Sequence, residues 1–302
     1  MGPIRDILYV RFSLPELGPQ AEFLSDFGLV VDQSDNVLYA RGTDDSRYIY
    51  VAEPGIQAFR GMGFEATSEE ALRAVAEIDN VSVEENPRPG GGLIAQLTDP
   101  DGYTVDLVYG IEPLQELAPP QRSALNTGTQ RNRLGERALL SESTVGVKRL
   151  GHCVLNVTDF RASEAWYKER LQFITSDEVY LGEESNTLGA FLRCNRDDHY
   201  VDHHTLFLVN AGSPSFNHAA FEVADWDTLM LGHDLLKERD YEHRWGVGKH
   251  VLGSQVFDYW KDLNGFTLEH FTDGDLMNSA FGSHKAPVEQ LMATHWGPEG
   301  NP

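Results

Sequence analysis

The sequence predicts an α+β fold in which two similar halves follow each other along the chain. The same order of strand-like and helix-like segments occurs on both sides of a polar stretch near the middle. The segments that close the two halves, DPDGYTVDLVYG and DLNGFTLEHFTD, align without gaps. Short apolar strands that alternate with helices indicate mixed α+β modules with curved sheets.

Each half contains two predicted helices among its strands. In the first half, helices are predicted at 18–29 and 68–78, and strands at 7–14, 36–42, 48–54, 57–66 and within 99–110. In the second half, helices are predicted at 160–173 and 226–240, and strands at 151–157, 189–195, 203–210, 216–223 and 262–272. The spacing of Ala162, Ala165, Trp166 and Leu171 predicts one buried helix face.

We expect a first domain at 1–112, a linker at 113–145, a second domain at 146–275 and a tail at 276–302. The linker contains EPLQELAPPQRSALNTGTQ, which is polar and rich in residues that interrupt helices and strands. The Pro- and Gly-rich tail leaves two alternatives open, because it is suited to cover either a pocket or a subunit interface.

Composition excludes several classes of function. The 302 residues include 47 acidic and 24 basic side chains, a net charge of −23 that opposes binding to nucleic acid or an anionic membrane. The chain has no apolar run of the length that a membrane span needs, and its first residues lack a secretory pattern. Its two cysteines are too few for a disulfide scaffold, so we expect a cytoplasmic protein.

Three residues on predicted strands of the second half are candidate metal ligands: His152, His218 and Glu269. Two imidazoles and one carboxylate on one face of an ion leave the other face open, which suits an iron that must bind both a substrate and O₂. The first half has lost most of this set. Asp106 takes the place of Glu269, Gly61 that of His218, and Leu8 or Tyr9 that of His152.

The segment GVGKHVLGSQVFDYWKDLNGFTLEHFTDGDL, residues 246–276, resembles the type I extradiol ring-cleavage dioxygenases of the vicinal oxygen chelate superfamily. The resemblance extends over nearly the whole chain. It implies tandem βαβββ modules in two similar domains, with a metal site in the C-terminal domain only. It also implies Fe(II), with Mn(II) as the other possible metal, and a homo-oligomer.

The resemblance assigns roles to further residues. His152, His218 and Glu269 match the metal ligands, His203 the acid/base histidine, His250 a second active-site histidine and Tyr259 the tyrosine that contacts a substrate hydroxyl. His204 is the alternative to His203, since strand alternation sends these two neighbours to opposite faces.

Three residues are candidates for contact with the substrate: Trp245, His204 and His243. Trp245, with Arg244 next to it as the neighbouring alternative, takes the place of an arginine found in relatives that cleave carboxylated catechols; an aromatic side chain there favours an apolar ring substituent. His243 is a candidate for the pocket entrance.

The function expected from these residues is Fe(II)-dependent extradiol cleavage of a catechol by O₂, which inserts both oxygen atoms next to the vicinal hydroxyls. One alternative is a metalloenzyme of the same superfamily that uses its metal only as a Lewis acid, an isomerase or a transferase. Another is a non-catalytic binding protein of the same fold. The catalytic set His203, His250 and Tyr259 favours the dioxygenase.

Overall fold

The computed structural model of the chain describes residues 1–118, 124–138 and 146–300. Parts of the predicted linker, 119–123 and 139–145, lie outside these described residues. No helix within the described ranges has the length and apolar character needed to cross a membrane.

The first half forms an eight-stranded sheet with two helices. Its strands are β1 (Ile4–Leu14), β2 (Val30–Ser34), β3 (Val37–Arg41), β4 (Tyr50–Pro54), β5 (Ala58–Ala66), β6 (Val83–Glu85), β7 (Leu93–Thr98) and β8 (Thr104–Tyr109). Helix α1 (Gly18–Asp26) follows β1, and α2 (Glu69–Ile78) follows β5. The spatial order is β2-β3-β4-β1-β5-β8-β7-β6.

The second half repeats this plan and extends it with the tail. Its strands are β9 (Val147–Val157), β10 (Ile174–Tyr180), β11 (Thr187–Arg193), β12 (Val201–Asp202), β13 (Leu206–Asn210), β14 (Ser215–Val223), β15 (His243–His250), β16 (Val256–Lys261), β17 (Thr267–Thr272), β18 (Leu276–Met277), β19 (His284–Pro287) and β20 (Thr294–Trp296). Its helices are α3 (Phe160–Leu171), α4 (Trp226–Glu238) and α5 (Val288–Met292). The main sheet has the order β19-β10-β11-β13-β9-β14-β17-β16-β15-β20.

The element order confirms the predicted α+β class and the tandem βαβββ modules. In each half, a strand and a helix are followed by three sheet strands, and this unit occurs twice. The strand predicted from His203 begins only at Leu206. The sequence patterns missed strands β2, β6, β7, β10, β12, β15, β16, β18, β19 and β20.

Helix starts are fixed by local hydrogen bonds that the sequence supplies. The side chains of Ser68, Asp159 and Asp225 accept hydrogen bonds from backbone N–H groups of the first turns of α2, α3 and α4. Such caps satisfy N–H groups that have no partner inside the helix.

The register of the two sheets confirms the duplication residue by residue. Gly61 pairs with Thr104 in the first half as His218 pairs with Thr267 in the second. Tyr9 pairs with Gly63 and His152 pairs with Ala220, so Tyr9 rather than Leu8 takes the place of His152.

The tail belongs to the second sheet. Strand β19 pairs with β10 at one edge, and β20 pairs with β15 at the other. The buried Arg193 donates hydrogen bonds to the backbone oxygens of Asn278 and Gly282, which fixes the start of this segment. Helix α5 therefore crosses from one edge of the sheet to the other.

Candidate metal centre and its cavity

The three predicted ligands come together on adjacent central strands. Nε2 of His152 and Nε2 of His218 each lie 3.3 Å from Oε2 of Glu269. Strand β14 lies between β9 and β17, so these side chains project from neighbouring positions on the same sheet face. All three side chains are buried.

The electrostatics of this group fit a bound cation. Both carboxylate oxygens of Glu269 are buried and have no hydrogen-bond partner of good geometry among the described residues. Burial alone would raise the pKa of Glu269, but its interactions with His152 and His218 outweigh burial and hold that pKa well below its ordinary value. A buried carboxylate of this kind needs a positive partner, and a divalent ion supplies it.

The tautomer of one ligand is already set for metal binding. Nδ1 of His218 lies 2.8 Å from the side-chain oxygen of Asn217, which accepts a hydrogen bond from it and leaves Nε2 free for an ion. Burial lowers the pKa of His218, so its imidazole stays neutral, as a metal ligand must.

Two of the candidate ligands, His152 and His218, line a cavity of about 270 Å³, and Glu269 contacts both of them. Its polar lining consists of His152, His204, His218, His250, Tyr259, Asn156, Asn217 and Gln255. Its apolar lining consists of Val154, Leu188, Phe191, Phe207, Val209, Leu252, Val288, Leu291 and Met292. The polar groups include the ligand histidines, and α5 contributes three apolar side chains. The tail thus covers the cavity, one of the two alternatives left open by the sequence.

His250 and Tyr259 form a pair on the cavity wall. Nε2 of His250 lies 3.0 Å from the Tyr259 hydroxyl. Burial raises the pKa of Tyr259 well above its ordinary value, and the Glu269 carboxylate raises it further, so the phenol keeps its proton. Burial lowers the pKa of His250 to about 4, so this imidazole is neutral at pH 7.

The structure places His204, not His203, on the cavity wall. The ring of His204 lies 4.0 Å from the ring of His152, measured between centroids. His203 is buried behind it, where its Nε2 lies 2.7 Å from Oδ2 of Asp177 and its Nδ1 lies 3.1 Å from Nδ1 of His204. Strand alternation does not apply to the two histidines because β13 begins only at Leu206.

Of the three predicted substrate contacts, His204 lines the cavity, whereas Trp245 and His243 lie off its lining. Trp245 stacks on Phe257 with ring centroids 4.1 Å apart and lies behind His250 and Tyr259. His243 instead binds Asp258. A register shift between His243 and Trp245 breaks the alternation of β15, which is why these two residues do not share a face.

The first half contains the remnant of a matching centre. Oδ2 of Asp106 accepts hydrogen bonds from the Tyr9 hydroxyl at 2.7 Å and from Arg11 at 3.3 Å, and it lies 3.4 Å from Nη1 of Arg88. Gln96 donates to its other oxygen at 3.0 Å. Guanidinium groups therefore supply the positive charge next to this buried carboxylate.

Comparisons with known proteins agree with this geometry. Residues 149–270 match the model of the Glyoxalase/Bleomycin resistance protein/Dioxygenase superfamily. The chain carries a domain of this superfamily. A protein named Metapyrocatechase 2, from Cupriavidus necator, is 25% identical over 300 residues, which cover 98% of this chain and 90% of that protein. Biphenyl-2,3-diol 1,2-dioxygenase from Sphingomonas paucimobilis is 27% identical over 262 residues, 85% of this chain and 76% of the relative.

Among solved structures, the Mn(II)-bound glyoxalase from Novosphingobium aromaticivorans superposes with a TM-score of 0.80 at 20% identity. The superposition covers 99% of this chain and 93% of the glyoxalase chain. This likeness confirms the vicinal oxygen chelate fold. The relatives confirm the resemblance to extradiol ring-cleavage dioxygenases and the prediction that the chain is an enzyme of this class.

Sequence patterns missed several residues of the cavity region. Asp177, which contacts His203, lies on the missed strand β10. Val288, Leu291 and Met292 belong to a short helix in a tail whose Pro and Gly content hides it. Gln255 directly precedes β16 within the matched segment and carries no chemistry that would have marked it.

Proposed function

We propose that this protein cleaves a catechol by extradiol addition of O₂ next to the vicinal hydroxyls, with a divalent metal held by His152, His218 and Glu269. The observation that carries the proposal is the convergence of these three side chains at a cavity that His152 and His218 line together with the His250–Tyr259 pair. Fe(II) is the metal we propose, and Mn(II) is the alternative. When bound, Fe(II) supplies the path for electrons between the aromatic diol and O₂.

Tyr259 is suited to bind a substrate oxygen. Its hydroxyl keeps its proton, and the neutral His250 donates a hydrogen bond to it in the tautomer that carries its proton on Nε2. The Tyr259 proton is then free to point into the cavity and to donate to a catechol oxygen. Such preorganised donors stabilise charge that develops on that oxygen.

His204 is suited to take the substrate proton, and we assign the acid/base role to it instead of His203. If His203 donates from Nε2 to Asp177, its Nδ1 accepts from Nδ1–H of His204. Nε2 of His204 then carries a free lone pair. Burial, the largest cause, and the neighbouring histidines lower the pKa of His204 well below its ordinary value, so the ring is neutral before the reaction.

The lining of the cavity favours an uncharged, apolar substituent on the catechol ring. Within the described part of the chain, the residues that line it include no lysine or arginine that would pair with a substrate carboxylate. Leu188, Phe191, Phe207 and Leu291 instead offer apolar surface. Burying an alkyl or aryl group there gains about 25 cal/mol for each Å² of apolar surface removed from water.

Oxygen consumption tests the proposal directly. Protein reconstituted anaerobically with Fe(II) is mixed with aerated catechol, an alkylcatechol, an arylcatechol or a carboxylated catechol, and uptake of O₂ is recorded together with the yellow ring-fission product. We expect uptake with the alkyl- and arylcatechols and little with the carboxylated one. No uptake with any of the four, from protein that holds one iron per chain, would refute the proposal.

Two variants connect this activity with the metal ligands. Glu269→Gln should lose both the iron and the oxygen uptake, because it removes the negative charge that faces the ion. Glu183→Gln alters an exposed carboxyl group far from the ligands in sequence and serves as the matched control. Iron content is measured by elemental analysis, so loss of metal is distinguished from loss of turnover.

We also propose, from the resemblance, that the chain acts as a homo-oligomer. From its two cysteines we propose that it is cytoplasmic, and from the composition of the linker 113–145 that its domains follow the boundaries 1–112, 146–275 and 276–302. Light scattering after gel filtration tests the first statement, and limited proteolysis within 113–145 tests the last.

A further inference from the structure

A second group of two imidazoles and one carboxylate lies behind the sheet that carries the cavity. His233 belongs to α4, His243 to β15 and Asp258 to β16. Their ligand atoms all lie within 4.8 Å of one another. Asp258 directly precedes Tyr259, which faces the cavity, so alternation along β16 turns Asp258 to the opposite face.

The three side chains already converge. Nδ1 of His233 lies 3.1 Å from Oδ2 of Asp258, and Nε2 of His243 lies 2.8 Å from Oδ1. The two imidazole rings are nearly perpendicular, with centroids 5.0 Å apart. Each histidine therefore presents one nitrogen to the same carboxylate from a different direction.

Burial and a supporting hydrogen bond favour an ion at this place. The side chain of Asp258 is fully buried, whereas that of His243 is 31% exposed. Nε1 of Trp260 donates to Oδ2 of Asp258 at 2.6 Å, which orients the carboxylate as outer hydrogen bonds orient metal ligands. The partial exposure of His243 leaves a route for an ion and for a coordinated water.

We propose that His233, His243 and Asp258 bind a divalent transition-metal ion of the Zn(II) type, at a site distinct from the candidate metal centre. Imidazole nitrogens and a carboxylate oxygen are donors that such ions prefer. Bonds of about 2.0 Å to a tetrahedral ion separate its ligand atoms by about 3.3 Å. The present separations of 2.8 and 3.1 Å, which join the two imidazoles to different oxygens of Asp258, are close to this value, and all three ligand atoms lie within 4.8 Å of one another.

The role of this ion is structural. It links α4 to β15 and β16, the strands that carry His250 and Tyr259. Since it binds on the far side of β16, it touches no residue of the cavity lining except through the backbone. Occupancy should therefore stabilise the fold and leave the cavity chemistry to its own residues.

Zinc titration of the whole chain tests this proposal, because different substitutions remove zinc binding at each of the two sites. By calorimetry after removal of all metals, the wild-type chain should bind two equivalents of Zn(II). The double variant His233→Gln/His243→Gln should bind one, at the candidate metal centre. His218→Gln should also bind one, at the second cluster, and the exposed control His199→Gln should bind two.

Anomalous X-ray scattering at the zinc edge gives a second readout that needs no variant. A peak between His233, His243 and Asp258 in zinc-treated wild-type crystals supports the site, and the absence of that peak overturns it. Two equivalents retained by the double variant, or a single wild-type equivalent that His218→Gln abolishes, also overturns it. Loss of zinc from the candidate metal centre alone leaves this second site in place, so the two proposals fail separately.

Discussion

Arg88 in the first half replaces a metal ion as the partner of a buried carboxylate, and its removal should be costly. Its side chain is 8% exposed and that of Asp106 is 2% exposed, with 3.4 Å between them. Removing one member of a buried pair costs about 3 to 5 kcal/mol, because the other charge stays buried without its partner. Arg11, Tyr9 and Gln96 still contact Asp106. We therefore expect Arg88→Met to lower the free energy of unfolding by about 3 kcal/mol.

Two further variants make this prediction specific. Asp106→Asn added to Arg88→Met should restore part of the loss, because the buried carboxylate charge is removed and only Arg11, 14% exposed, is left without its charged partner. Arg73→Met is the matched control: Arg73 is 52% exposed and pairs with Glu69 on the surface of α2, so its removal should cost about 0.5 kcal/mol or less.

Urea unfolding followed by circular dichroism measures these differences. Dichroism is needed because all five tryptophans, at 166, 226, 245, 260 and 296, belong to the second half. Their fluorescence then reports separately on that half. If Arg88→Met lowers the free energy of unfolding by no more than Arg73→Met does, the idea that the Arg88 guanidinium supplies the positive charge next to Asp106 in place of a metal ion is refuted.

Three other predictions concern the second half. His204→Ala should keep the metal and slow turnover about 10²- to 10⁴-fold, whereas His203→Ala should slow turnover less because His203 acts only through His204. Stopped-flow kinetics measures turnover and elemental analysis measures the bound metal; a larger loss of turnover for His203→Ala would contradict this. Acidification of the metal-free protein from pH 7.5 to 5.5 should lower the stability of the wild type more than that of His270→Gln, because burial lowers the pKa of His270 to about 4 in the folded state and this group then costs about 1.4 kcal/mol at pH 5.5. Burial raises the pKa of Asp6 to about 7 and that of Asp262 to about 6, which acts in the opposite direction but equally in both proteins. An equal shift of the urea midpoint in the two proteins would disprove this. Deletion of residues 284–302 should raise the KM for an arylcatechol more than it lowers kcat, because the deletion removes apolar side chains from the cavity lining but no polar one. An unchanged KM in steady-state assays would count against this role of the tail.

The sequence was sufficient to predict the three candidate ligands and their convergence. His152, His218 and Glu269 lie in segments that the sequence predicts as strands, although a register shift directly precedes His218, and the second copy in the first half gave an internal alignment that the register matches. Repetition thus supplied information that a lone strand pattern lacks.

Irregular backbone explains where prediction failed. His203 and His204 precede β13 instead of lying within it, so alternation could not tell which of them faces the cavity. The register shift in β15 separated His243 from Trp245. The tail carries no strong periodicity, because its short strands are held by pairing with distant edges, β10 and β15, and not by local preference.

The position of β19 and β20 has a consequence for how the protein is made. Without β19 and β20 the ten-stranded sheet would end at β10 and β15. Both of these strands are covered by residues 284–296, a segment that leaves the ribosome after every strand of the four repeated units. Until then β10 and β15 expose unpaired backbone groups, which is the usual starting point for wrong pairing between chains. Nascent or truncated chains should therefore depend on chaperones more strongly than the finished protein does.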